Sequence, residues 1–179
     1  MRQSWPFIAL LLAATPAVAQ SDPAIALPGV TCAQMTAEGA QPPPLMISAM
    51  MGLLAARANR PLISQVQFGV AVAAAQAACT AADGGPRRVL DLLAETPSPE
   101  DPAAMDLAAM TCGTLAPLWR QGARVIVPFL AGWLSRPEGQ VSRPQMDRLG
   151  NGLQSICRDA DNAARPVLEV AAAALLIAP

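Results

Sequence analysis

Cysteine is the residue type in this chain of 179 residues whose number and spacing indicate specific covalent chemistry. The four cysteines form two widely spaced pairs along the sequence: Cys32 and Cys79, then Cys112 and Cys157. No Cys-x-x-Cys motif occurs, so the spacing of a thioredoxin-type redox site and of the usual zinc ribbons is absent. In an exported chain, four cysteines indicate two structural disulfides, with free buried cysteines as the alternative.

The sequence around these cysteines occurs twice. Thr31-Cys32 recurs as Thr111-Cys112, and a glycine follows 20 residues after the cysteine in both copies, Gly52 and Gly132. A Val-Leu pair begins ten residues after each closing cysteine. Such self-similarity indicates a duplicated structural unit.

The duplication also predicts how the cysteines pair. If each copy folds as a unit, Cys32 bonds to Cys79 and Cys112 to Cys157, because crossed pairing would require two units to exchange the same bond. A unit of about 70 residues has a small core and benefits from such a crosslink. Closing a loop of this length contributes roughly 4 kcal/mol in the chain-entropy model.

The first nineteen residues have the pattern of a secretory signal peptide. Arg2 provides the positive start, Phe7–Ala14 is a short apolar run, and Ala17-Val18-Ala19 is a small-residue cleavage pattern before Gln20. An uncleaved anchor is the alternative, although the run is shorter than the roughly 20 residues that span a bilayer. The sequence therefore predicts removal of residues 1–19 and a periplasmic protein, with secretion as the second option.

The residues needed for catalysis, metal binding and nucleic-acid binding are sparse. The chain has no histidine and a net charge of −1, which leaves no Ser-His-Asp triad, no histidine metal site and no basic footprint for nucleic acid. Glu100-Asp101 and Asp159 with Asp161 could act as acid and base, but no motif builds a pocket around them. We expect no enzyme activity, no metal, no cofactor and no nucleic-acid partner.

Both copies show the hydrophobic periodicity of helices. At equal offsets from the first cysteine, copy one has Met46, Met50, Leu53 and Leu54, and copy two has Ile126, Leu130, Trp133 and Leu134. A second stripe precedes each closing cysteine. It is thinner in copy one, which has Phe68, Ala71, Ala75 and Ala78 where copy two has Met146, Leu149, Leu153 and Ile156. No clean alternation typical of strands occurs.

These patterns predict an all-α fold of two tandem small helical bundles, each stapled by one disulfide. The first unit covers residues 29–97 and the second 104–178. The linker, 98–103, lies in a stretch rich in proline and acidic residues, which favours a stiff and solvated connection. Residues 20–28 are expected to form a loose N-terminal tail.

Four large side chains are candidates for partner binding. Met46 and Met50 belong to a small methionine group, and methionine surfaces adapt to varied partners. Trp119 and Trp133 have no tryptophan counterpart in copy one, and tryptophan is a frequent anchor at interfaces. Core packing is the alternative for all four, and it fits Trp133 best because of its place in the helical stripe.

Two acid–base pairs recur at helical spacing after the closing cysteines. Asp83 precedes Arg87, and Asp161 precedes Arg165, each by four residues. Ion pairs there would weaken in acid, since a paired carboxylate loses its stabilising charge as the pH falls. Solvated and unpaired side chains are the alternative.

The duplicated unit resembles the HdeA/HdeB-type periplasmic acid-stress chaperones. The resemblance rests on the cysteine spacing, the helix order, the signal peptide and paired segments of the two copies. These are Thr31-Cys32-Ala-Gln-Met35 with Thr111-Cys112-Gly-Thr-Leu115, and Met51-Gly-Leu-Leu54 with Ala131-Gly-Trp-Leu134.

The resemblance implies a compact helical bundle with one disulfide, with the four cysteines at the family's disulfide positions. It implies a dimer that loosens in acid and holds unfolding proteins through exposed apolar surface. Family members are usually single units, so this chain is expected to form an intramolecular pseudo-dimer or a homodimer. Its partners would be unfolded or partner proteins. The alternative function is a constitutive periplasmic binding or structural module, or an inhibitor-like partner protein, without chaperone activity.

Overall fold

The computed structural model of the protein describes residues 23–37 and 43–176. The predicted signal peptide, residues 1–19, lies outside the described residues, as do residues 20–22 of the expected tail. Within the described part, the fold is all-α, with four strands of only two residues each. The sequence prediction of an all-α fold is therefore confirmed.

The two copies contain the same elements in the same order. In copy one they are β1 (Ile25–Ala26), α1 (Cys32–Thr36), α2 (Pro44–Arg57), β2 (Leu62–Ile63), α3 (Gln65–Thr80) and α4 (Val89–Glu95). In copy two they are β3 (Met105–Asp106), α5 (Cys112–Leu115), α6 (Trp119–Leu134), β4 (Gln140–Val141), α7 (Arg143–Arg158) and α8 (Val167–Leu176). Short 3-10 turns precede α1, α6 and α8.

Side-chain caps fix where equivalent helices begin. Thr31 and Gln34 form a capping box at the start of α1, which satisfies backbone N–H groups that the first turn leaves free. Ser64 caps α3 by accepting a hydrogen bond from the Gln67 backbone N–H at 2.9 Å. Ser142 caps α7 in the same way. The cap serine lies 32 residues after Cys32 but 30 after Cys112, so the two extra residues of copy one lie between α2 and α3.

Each copy is closed by one disulfide between its first and third helices. Cys32 in α1 bonds to Cys79 in α3, and Cys112 in α5 bonds to Cys157 in α7. These are the pairings that the duplication predicts. Both first-helix cysteines are fully buried, so the bonds lie within the core.

The two copies pack against each other through α2 and α6 in a reciprocal contact. A Cβ added at Gly52 would overlap the backbone carbonyl oxygen of Phe129, and one added at Gly132 would overlap that of Ala49. Gly52 and Gly132 are equivalent residues of the two copies, as are Ala49 and Phe129, so the contact has approximate twofold symmetry. The missing side chains of both glycines let the helix backbones touch.

The strands connect the copies in the same reciprocal way. β1 of copy one pairs with β4 of copy two, and β3 of copy two pairs with β2 of copy one, both antiparallel. The residue after each arm continues the ladder, since the Leu27 N–H donates to the Gly139 carbonyl and the Leu107 N–H to the Pro61 carbonyl, both at 2.9 Å. Each copy therefore extends its N-terminal arm onto the other.

This pairing places part of the expected N-terminal tail inside the fold. Leu27 has no exposed surface, and Ile25–Ala26 are held by backbone hydrogen bonds to copy two. A loose tail was expected over residues 20–28, and its described part is structured from Ile25 onward. The reason is tertiary pairing, which a two-residue strand does not announce in its sequence.

The predicted Asp83–Arg87 and Asp161–Arg165 ion pairs do not form. Among the described residues, Arg165 instead approaches Glu169 within 3.3 Å on the surface, and this is the one salt bridge. α3 ends at Thr80 and Asp161 lies in a 3-10 turn, so neither aspartate has the helical geometry that its spacing suggested.

Candidate binding surface

The outer face of α3 is apolar although it is exposed. The 16 residues of this helix include no charged side chain. Its buried positions, Ala71, Ala75 and Cys79, face the core. The solvent-facing positions repeat at helical spacing, with Val66 51% exposed and Val70 37% exposed. We call these solvent-facing residues the α3 surface: Val66, Gly69, Val70, Ala73 and Ala77.

Helix α7, the equivalent of α3 in copy two, presents a polar surface at the same positions. Counted from the closing cysteines, the two helices bury, half-bury and expose the same positions. Where α3 exposes Val66, Gly69, Val70, Ala73 and Ala77, α7 exposes Pro144, Asp147, Arg148, Asn151 and Ser155. The same place in the same fold is therefore solvated by charged and polar groups in one copy and apolar in the other.

An open groove of about 550 Å³ adjoins the α3 surface. It lies between α3 and the end of α4, and its lining residues are mainly apolar: Val70, Ala73, Ala74, Ala78, Leu92, Glu95, Thr96 and Pro97. α4 stops there because the residue before a proline disfavours helical geometry, and Thr96 precedes Pro97.

Copy two has no such groove among its detected pockets because a longer and closer helix covers the equivalent place. α8 continues to Leu176, and a Cβ added at Gly152 of α7 would lie 2.5 Å from the Ala174 Cβ. The α3 residue equivalent to Gly152 is Ala74, whose methyl group holds α4 away from α3. The α3 surface and its groove together form an apolar area for which copy two has a cover.

The partner-binding candidates from the sequence lie away from this surface. Met50 is fully buried, and Trp133 is only 6% exposed, with the Arg136 guanidinium 5.2 Å from its ring centroid. Met46 and Trp119 are half-buried. A partner could reach the latter two side chains in this structure, and it could not reach Met50.

One carboxylate is bonded to the N-terminal end of α3. The Ser64 hydroxyl donates to Asp101 Oδ2 at 2.6 Å, and the Ala103 N–H donates to Asp101 Oδ1 at 2.9 Å. These hydrogen bonds hold the pKa of Asp101 below its usual value, because they favour the ionised form. The predicted linker, 98–103, is thereby attached to the helix cap.

Other kinds of site are not evident in the part of the chain that the structure describes. No cluster of three or more His, Cys, Asp or Glu side chains could hold a metal ion there. None of the helices in residues 23–37 and 43–176 combines the length and apolar character needed to cross a bilayer.

Comparisons with protein-family models, with curated proteins and with solved structures found no match to this chain.

The sequence contained a signal for the α3 surface that the search for core stripes did not use. That search selected Phe68, Ala71, Ala75 and Ala78, which point inward or sideways. The outward positions become visible only when α3 is aligned with α7 residue by residue, because the comparison then sets valines and alanines against charged and polar residues.

Proposed function

We propose that this protein is a periplasmic holdase that binds apolar segments of unfolding proteins on the α3 surface, and that it does so during acid stress. The observation that carries the proposal is the contrast between α3 and α7. One helix position is apolar and exposed in copy one, whereas copy two has charged and polar residues there. Exposed apolar patches bordered by polar surface are typical of protein interaction sites.

Binding on this surface would persist in acid. α3 contains no group that titrates, so protonation cannot change the charge of the surface itself. Apolar contacts form without ion pairs and remain available when the carboxylates of a client are neutralised. A client that loses its own ion pairs in acid exposes apolar segments under the conditions in which this surface is unchanged.

The fold has few interactions that acid would break. The described residues contain one exposed salt bridge, and exposed pairs contribute at most about 1 kcal/mol. Two disulfides and an apolar core do not depend on protonation. We therefore expect the protein to stay folded at about pH 3, where most carboxylates gain protons.

This mechanism differs from the one that the HdeA/HdeB resemblance implies. In that family, apolar surface becomes exposed when two chains separate in acid. Here the copies share one chain, exchange their arms and touch backbone to backbone at Gly52 and Gly132. An α3 surface that is open from the start removes the need for separation.

A constitutive binding module is the second candidate function. The α3 surface is exposed in the folded protein without any trigger, and this favours a partner that binds at neutral pH. A single specific partner would distinguish this function from holdase activity, which acts on unrelated clients.

Aggregation protection tests the proposal. An enzyme that aggregates on acidification is brought to about pH 3 and then neutralised, with and without the protein, while light scattering is recorded. We expect suppression for two unrelated clients. The binding-module alternative predicts no suppression and one partner recovered at about pH 7; absence of suppression would contradict the holdase proposal.

A variant that carries the polar surface of copy two locates the activity. It combines Gly69→Asp, Val70→Arg, Ala73→Asn and Ala77→Ser, the residues that α7 has at the same positions. The substitutions add one charge of each sign, and copy two shows that the fold accepts them. We expect this variant to lose suppression. The control exchanges the charges of α7 (Asp147→Arg with Arg148→Asp) and should retain it.

A further inference from the structure

Copy two contains a small pocket that is separate from the α3 surface. It measures about 270 Å³ and lies between the start of α6 and the end of α7, next to the Cys112–Cys157 disulfide. We call it the Trp119 pocket, and the side chains that define it are Leu115, Trp119, Arg120, Leu153, Gln154 and Arg158.

The polar part of the Trp119 pocket carries positive charge only. Arg120 and Arg158 both line it, and neither has a carboxylate within salt-bridge distance among the described residues. No acidic side chain lines the pocket. α6 begins there without a side-chain cap and without an acidic residue in its first turn, so the positive end of the helix dipole adds to the field. The electrostatics favour an anion.

The apolar part of the pocket favours a ligand that is more than a bare ion. Leu115 and Leu153 are fully buried and form an apolar wall, and the Trp119 indole is half-buried beside them. Flat aromatic rings pack well against an indole face. The volume corresponds to about nine water molecules at about 30 Å³ each, which suits a molecule with one or two rings.

Copy one lacks the groups that give this pocket its character. At the positions of Arg158 and Leu153 it has Thr80 and Ala75, and its sequence has Gly39 and Ala40 at the positions of Trp119 and Arg120. The disulfide and its helices are common to both copies, so the pocket chemistry is not required by the fold. It is a specialisation of copy two.

We propose that the Trp119 pocket binds a small aromatic carboxylate, with the carboxylate between Arg120 and Arg158 and the ring against Trp119. Guanidinium groups bind carboxylates through paired, charge-assisted hydrogen bonds. Gln154 can donate a further hydrogen bond from its side-chain amide. The proposal is independent of the α3 surface and of holdase activity.

Calorimetric titration with 2-naphthoate tests the site. We expect saturable binding with one ligand per chain, and at least about tenfold weaker binding of the neutral 2-naphthamide, because charged hydrogen bonds are about twice as strong as neutral ones. Inorganic phosphate alone should bind more weakly than 2-naphthoate, since it lacks the ring. No binding of 2-naphthoate at millimolar concentration would overturn the proposal, as would equal binding of the amide or of phosphate.

Variants locate the ligand in the pocket. Arg158→Gln and Arg120→Gln should each weaken 2-naphthoate binding by about tenfold or more. Arg148→Gln is the matched control, because Arg148 is exposed on the same helix outside the pocket. Both pocket arginines are exposed, so their replacement should leave the far-ultraviolet circular dichroism unchanged. Equal affinity in the parent and in both pocket variants would place the ligand elsewhere and refute the assignment.

Discussion

At the residue scale, the pair Gly52 and Gly132 decides how closely the two copies approach. The glycines are equivalent in the duplicated sequence, and each meets a backbone carbonyl of the other copy. A backbone atom in the middle of a packed helix cannot move aside as a flexible side chain can. The conserved spacing of these glycines within the chain therefore has a physical reason, namely the α2–α6 contact.

Gly132→Ala should destabilise the protein, because the added methyl group would overlap the Ala49 carbonyl. We expect a loss of about 3 kcal/mol in the free energy of unfolding, near the upper end of overpacking effects, measured by urea unfolding. Gly69→Ala is the control with the opposite sign. Nothing lies within 4 Å of that site, so alanine should stabilise α3 by about 0.5–1 kcal/mol. Equal effects at both glycines would contradict the contact.

The bond between Ser64 and Asp101 should appear in the pH dependence of stability. Because the folded-state pKa of Asp101 is lowered, its ionised form stabilises the fold above the unfolded pKa of about 4. That contribution is lost as the pH falls through the folded pKa. In urea unfolding, the stability difference between the parent and Asp101→Asn should therefore be constant from about pH 7 to 5 and shrink below about pH 4.

A second substitution tests the cause of this effect. The hydrogen bond from Ser64 is the largest contribution to the lowered pKa. In a Ser64→Ala background, the pH dependence of the Asp101→Asn effect should consequently become smaller. The same pH dependence with and without the Ser64 hydroxyl would exclude this hydrogen bond as its source.

Residue-level features were predictable from the sequence where the duplication constrained them. The disulfide pairing followed from two copies with nearly equal cysteine spacing, and the structure contains both bonds. The i, i+4 ion pairs were wrong because that spacing has meaning only inside a helix. Asp83 follows the end of α3, and Asp161 lies in a 3-10 turn.

At the element scale, the helices were predictable and the strands were not. Apolar stripes identified α2 and α6, whose buried residues include the predicted Met50 and Ile126. A two-residue strand has no period to detect, so the exchanged arms follow from tertiary pairing alone. The exposed face of α3 was also missed, because hydrophobic stripes direct attention to residues that face the core.

The exchanged arms predict an unusual effect of truncating Leu27. This side chain is fully buried although it lies near the start of the described chain. Leu27→Ala should lower the free energy of unfolding by about 2–5 kcal/mol, the range for buried leucines, in a denaturant titration. Ile25→Ala is the neighbouring control. Ile25 is 41% exposed, and we expect a change of at most about 0.5 kcal/mol. A neutral Leu27→Ala would show that the arm does not contribute to the fold.

At the scale of the whole molecule, the duplicated chain is symmetric in its backbone and asymmetric in its surfaces. The disulfides, arm exchange and glycine contacts recur in both copies. The outer surface of the third helix does not, since it is apolar in α3 and polar in α7. One copy thus provides an internal control for the other. The proposed function assigns client binding to copy one and the small-molecule pocket to copy two.

The most direct measurement of the central claim is site-specific photo-crosslinking to a client in acid. A benzophenone amino acid is placed at Ala73 on α3 or at the equivalent Asn151 on α7, both exposed. Each protein is irradiated with an unfolding enzyme at about pH 3. The account predicts client adducts from position 73 and none above background from position 151. Equal adducts from both positions, or adducts from position 151 alone, would contradict the assignment of client binding to the α3 surface.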